Sequence, residues 1–136
     1  MLLEVLCALL IFAVGVLALV GLQTASIQQA AAAEYRSTAQ LAANDLVSRM
    51  WISDRTAATL QTNFATGATT GYAAWWRTWQ PFLPGTSATV LAPQISFTTV
   101  AGGGSSPVSS SIVTIVMQWK TPSDVAHKYT LTAELK

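Results

Sequence analysis

The sequence predicts an α+β protein: one long N-terminal helix, apolar in its first half and amphipathic in its second, packed on a small antiparallel β-sheet of about four strands. Three observations carry this reading. Val5–Leu22 runs VLCALLIFAVGVLALVGL without a charge or a strongly polar group. Residues 23–55 contain neither Gly nor Pro, and they place Ile27, Ala31, Tyr35, Ala39, Ala42, Leu46 and Met50 at steps of three and four. That spacing is one face of a helix. Past residue 87, short β-branched runs alternate with Gly, Pro and Ser.

The first half of the helix is a membrane-length element. Eighteen residues rise roughly 27 Å as a helix, close to the roughly 30 Å hydrocarbon core of a bilayer. A cleavable secretory signal fits poorly, because no basic residue precedes the run and the run exceeds a usual signal core. Glu4 stands at its edge. A carboxylate there is costly unless it is paired, or sits at headgroup level where the helix N-terminus favours a negative charge. Position alone leaves both uses open. The second half continues as good helix former, so one helix of about fifty residues, roughly 80 Å long, is expected. A coiled coil is disfavoured because the alanine-rich stripe lacks sustained Leu or Ile at alternate core positions. The expected division is 1–23 for the apolar half and 24–136 for a globular part. The latter comprises the amphipathic half helix 24–55, a connecting region 56–86 and the sheet 87–136.

In the connecting region, residues 56–71 read as loop or a short frayed helix. Residues 72–83, YAAWWRTWQPFL, read as two helical turns ending near Pro81, with a turn at Leu83-Pro84-Gly85. Four β-like runs follow. Ala88–Leu91 and Gln94–Val100 are short and separated by Pro93, and the second stops at Gly102-Gly103-Gly104. Ile112–Trp119 is the richest in β-branched residues. In Lys128–Leu135, Tyr129, Leu131, Ala133 and Leu135 alternate with Lys128, Thr130, Thr132 and Glu134, the pattern of a strand with one wet face. The last two runs are expected to pair antiparallel, with the Leu131 face on the Tyr35–Leu46 stripe. Truncating Leu131 is expected to cost roughly 2–5 kcal/mol.

Composition excludes several functions. Of 136 residues, 51% are apolar and 10% charged, with net charge +1. An ordinary domain carries about 25% charged residues. The balance gives no general nucleic-acid footprint. One Cys and one His supply neither an internal disulfide nor a Cys/His zinc site. No calcium loop, phosphate loop, HExxH or nucleophile motif is present. No catalytic, cofactor-binding or metal-binding residue is assigned, and the chain is not expected to be an enzyme. Cys7 reads as a small hydrophobe and His127 as a solvated loop histidine. Asp45 and Arg49 read as an i,i+4 pair. Trp75, Trp79 and Phe82 share a helical face, with Trp76 beside it. Core cover is the ordinary use of such aromatics. Trp76 is the best placed to be exposed, and is the candidate partner-contact aromatic.

The opening MLLEVLCALLIFAVGVLALVGLQ resembles the mature N-terminus of type IV pilins, in particular minor pilins of the PilV kind. NDLVSRMW, FLPG, IVTIVMQW and HKYTLTAELK agree more loosely. Type II secretion pseudopilins share LLEV and the apolar run. The resemblance implies a pilin-like fold with a processed, N-methylated first residue. It implies that Glu4 is the assembly residue, pairing with the N-terminal amine of a neighbouring subunit. The family's glutamate is normally fifth and here is fourth, so the first mature residue is expected to be missing or altered. The C-terminal disulfide of many pilins has no counterpart, and Gly15 and Gly21 stand where major pilins carry a helix-bending Pro.

The function implied is that of a minor pilin, which primes assembly of a bacterial type IV pilus and joins it near the tip. Such a subunit is held in the inner membrane as a single-pass protein and is extracellular in the filament afterwards. Its partners would be major and minor pilins through the N-terminal helix, with a tip adhesin as a further one. A type II secretion minor pseudopilin is one alternative, and an adhesive or DNA-uptake subunit another. The DNA version is weak, since residues 56–136 carry only Arg77, Lys120, Lys128 and Lys136 as strong cations.

Overall fold

The computed structural model of the chain describes residues 1–101, 109–122 and 124–136. The glycine stop at 102–104 lies outside the described residues. Helix α1 spans Leu2–Ile52, α2 Ala57–Phe64 and α3 Gly71–Trp79, followed by a 3-10 turn at Gln80–Phe82. Strands β1 (Gln94–Val100), β2 (Ser110–Trp119) and β3 (His127–Leu135) form one antiparallel sheet in the order β1-β2-β3. The chain divides into two compact units, Met1–Glu34 and Tyr35–Lys136.

In the second unit the small residues of α1 explain its packing. Ala39, Ala42, Ala43, Leu46 and Met50 are fully buried, and the alanines let neighbouring chain approach closely. Helix α1 stops where Ser53 and Asp54 offer the backbone other partners. Ser53 Oγ donates to the Met50 carbonyl at 2.9 Å, and Asp54 accepts the Thr56 amide at 3.1 Å.

The inner face of the sheet is set by the two-residue period. Val113, Ile115, Met117 and Trp119 on β2 are buried, while Ile112, Thr114, Val116 and Gln118 on the opposite face are only half covered. Ile115 pairs with Ile95 on one side and Leu131 on the other, so the apolar row crosses all three strands. Tyr129, Leu131 and Ala133 pack on the core cluster that also holds the α1 stripe, as their alternation predicts, but remain half-buried.

Among the described residues the sheet has three strands, not about four. Ala88–Leu91 forms a bend instead of a strand. The Ser87 hydroxyl accepts the Val90 amide at 2.8 Å, and the Ser87 amide donates back to the Val90 carbonyl at 2.8 Å. A local serine turn has taken the groups that a sheet ladder would need. Leu91 then adopts φ 52°, which breaks extension. The Pro84-Gly85 turn is tied to the end of β2 by the Lys120 amide, which donates to the Pro84 carbonyl at 3.0 Å. Gly85 has φ +71°, and a β-carbon there would collide with the Lys120 carbonyl oxygen, so both conformation and space require glycine.

Tyr72, at the buried start of α3, donates its hydroxyl to the Pro93 carbonyl at 3.2 Å. Burial raises its ionisation above the ordinary value of 10.0. A raised acid keeps its proton more tightly when folded. Its stabilising contribution is complete below the unfolded pKa near 10 and is lost as pH rises through the higher folded value. In alkaline melts of the full chain in detergent, wild type should therefore lose stability above pH about 10 more steeply than Tyr72→Phe. Parallel slopes would show that Tyr72 ionises as freely folded as unfolded.

Candidate functional site

Two features stand out as candidates: the surface of the N-terminal unit with Glu4 at its head, and the aromatic cluster of α3.

In the N-terminal unit, Leu2 to Leu22 are exposed around the full circumference of the helix, including Leu3, Leu6, Leu10, Phe12, Leu17 and Leu22. A helix that is apolar all round needs cover by lipid or by other apolar helices, because water solvates it poorly. The helix is long and apolar enough to cross a membrane. Glu4 lies in its first turn, where the free amide groups favour a negative charge. It has no hydrogen-bond or ion-pair partner among the described residues, and no charged residue follows until Glu34. Cys7 is a free, exposed thiol on the same surface. Added β-carbons at Gly15 and Gly21 would meet open space, so no contact among the described residues requires these glycines.

The aromatic cluster covers the core, as is ordinary for such side chains, but its exposed member is not the expected one. Tyr72, Trp75, Trp76 and Trp79 form the inward stripe of α3, at i, i+3, i+4 and i+7. Trp76, the one best placed by spacing to be exposed, is buried at 4% exposure, and its indole N–H has no hydrogen-bond partner among the described residues. Phe82 is the exposed member at 61%. The reason is Pro81. The α-helix ends at Trp79, and the tighter turn over Gln80–Phe82 rotates Phe82 off the stripe that a continued helix would have kept. Phe82 then meets Trp79 edge-on, with ring centres 6.2 Å apart.

The remaining polar groups are mostly structural. Asp45 accepts Arg49 Nε at 3.0 Å, the expected pair, and also the Trp79 indole N–H at 2.9 Å. The second bond joins α1 to α3, and no spacing in the sequence announces it. His127 does not sit in a loop: it opens β3, stacks on Trp119 at 5.8 Å between ring centres, and faces Asp124 at 2.7 Å. That hydrogen bond, with the Val125 amide, holds the exposed Asp124 carboxyl below its ordinary range. An open hollow of about 400 Å³ lies between Asp54, Arg55 and Thr56 on one side and Ser109, Ser111 and Lys136 on the other. Across it Arg55 donates to the Lys136 backbone oxygen at 2.6 Å, tying the end of β3 to the chain leaving α1. Among the described residues no three His, Cys, Asp or Glu side chains converge.

The geometry therefore singles out the uncovered helix surface headed by Glu4 as the part of the chain built to meet something else. Comparison with protein-family models, with curated proteins and with solved structures finds no match to this chain.

Proposed function

We propose that the chain is a minor pilin, a non-catalytic structural subunit that waits in a bacterial inner membrane and enters a type IV pilus. The observation that carries the reading is Glu4, without a partner among the described residues, at the head of the long uncharged first half of α1, whose large apolar residues are uncovered. The likeness of the first twenty-three residues to mature pilins supports it. A filament of such helices gives both features a use. Neighbouring helices replace lipid on the apolar surface, and a neighbour's N-terminal amine neutralises a carboxylate that is costly to leave alone in apolar surroundings.

The test separates insertion from assembly. Glu4→Ala is expected to leave membrane insertion intact, since it removes a charge from an apolar segment. It is expected to lower the chain's level in sheared filaments at least about tenfold, the scale of losing one partnered charge in an apolar setting. Normal levels of the variant in sheared filaments would sink the proposal.

A further inference from the structure

Among the described residues the outer edge of β3 is unpaired, and its chemistry is complementary to itself. Which backbone groups face that edge follows from the ladder. Ile95 on β1 turns its polar groups away from β2: its amide donates to Thr66 Oγ1 at 2.6 Å and its carbonyl accepts from the Thr66 hydroxyl at 3.2 Å. The even-numbered residues of β1 therefore bond to β2. Both strand pairings run one-to-one without a bulge. Because backbone groups alternate sides along a strand, the odd-numbered residues of β2 and β3 bond to each other. The amides and carbonyls of Lys128, Thr130, Thr132 and Glu134 are left pointing outward. These four residues are exposed, and none has a side-chain hydrogen bond or ion pair among the described residues. A long open edge of this kind is a template for another strand.

We propose that the strand it accepts is β3 of a second copy of this chain, antiparallel and centred on Leu131. In this register Lys128 stands opposite the partner's Glu134 at both ends, and Thr130 opposite the partner's Thr132 in the middle. All four are the outward-facing, hydrogen-bonding positions, so backbone and side chains agree on one alignment. Opposite-charge and Thr–Thr cross-strand pairs are the favourable ones. Shifting the alignment by two residues one way sets Lys128 against Thr132, and the other way sets it against Lys136. Both lose the charge match. On the inner face, Leu131 meets the partner's Leu131, and Tyr129 meets the partner's Ala133. These are the apolar side chains that the single chain leaves half covered. The pair makes one continuous six-stranded sheet. It closes on itself by two-fold symmetry and does not propagate, so it is a state apart from any filament.

The test uses the full chain in detergent and reads the monomer–dimer balance by sedimentation. Lys128→Glu and Glu134→Lys each set like charges against each other at both ends. Each is expected to weaken the dimer at least about tenfold, from two cross-strand pairs turned from attractive to repulsive. The double variant Lys128→Glu/Glu134→Lys restores the match and should restore the dimer. Both residues are exposed on the wet face, and far-UV circular dichroism should show all three variants folded. Leu131→Cys in a Cys7→Ala background should form an intermolecular disulfide under mild oxidation, because two-fold pairing sets the two positions directly opposite. Association through the apolar helix would be insensitive to the charge swaps. A monomeric wild type, equal dimerisation of all variants, or failure of the double variant to recover overturns the proposal.

Discussion

Trp75→Ala should destabilise the Tyr35–Lys136 unit by about 3–5 kcal/mol, the range for emptying a buried tryptophan site. Trp75 is the largest fully buried side chain. Its ring lies against Tyr72 and Trp76, with ring centres 6.0 and 5.8 Å away. Its indole N–H donates to the Ala42 carbonyl at 2.9 Å, so one side chain both fills the space beside α1 and fixes α3 to it. Trp75→Phe separates the two contributions. Phenylalanine keeps much of the apolar volume and removes the donor, and the Ala42 carbonyl still has its place in the helix ladder, so no polar group is orphaned. The expected loss is then about 1–2 kcal/mol. Native-state hydrogen exchange at the β2 amides, on the full chain in detergent, measures both. Since a domain of this kind holds about 5–15 kcal/mol in all, the alanine variant should also lower the folded population visibly on warming. An alanine variant within about 1 kcal/mol of wild type would mean that this site is not filled as described.

Ile115→Ala should cost about 2–5 kcal/mol, and Leu131→Ala only about half as much. The two residues face each other across the β2–β3 ladder and point to the same side of the sheet. Ile115 is fully buried on the central strand, whereas Leu131 lies on an edge strand and is half exposed. Removing apolar atoms from a site that water already reaches leaves a smaller cavity and restores less contact with solvent. Thr130→Ala, on the wet face, should fall within about 0.5 kcal/mol of wild type. The same exchange measurement ranks the three. If Leu131 proved as costly as Ile115, the edge of the sheet would have to be covered in solution. A dimer through β3 predicts that behaviour at high protein concentration, with the difference reappearing on dilution.

The alternation in Lys128–Leu135 identified the inner face of the last strand, and the alternation is enough for that, because side chains along a strand must point to opposite sides. It does not report depth. Depth depends on whether another strand lies beyond, and only the strand order places β2 in the middle and β3 at the rim. Because Leu131 is only half-buried at the rim, the loss expected on its truncation falls below the range for a fully buried leucine. The missing strand at Ala88–Leu91 has a similar cause. Its composition suits a strand, yet the Ser87 hydroxyl closes a turn on the spot, and local bonds of that kind leave little trace in a pattern of apolar residues.

The sequence by itself determined the long helix, the change in its character after Leu22, three of the strands, and the isolation of Glu4 at the head of an uncharged run. Each of these is a local matter of periodicity, propensity or charge along the chain. Pro81, visible in the sequence, and the tertiary packing of α3 together decided which aromatic is exposed. Pro81 ends the α-helix between Trp79 and Phe82, turning Phe82 outward, while Trp76 joins the stripe that α3 buries. Tertiary structure alone decided that Asp45 bonds Trp79 and that β3 keeps an open edge among the described residues, because both depend on which segments meet in space, and residues so distant in the chain carry no spacing that encodes their meeting.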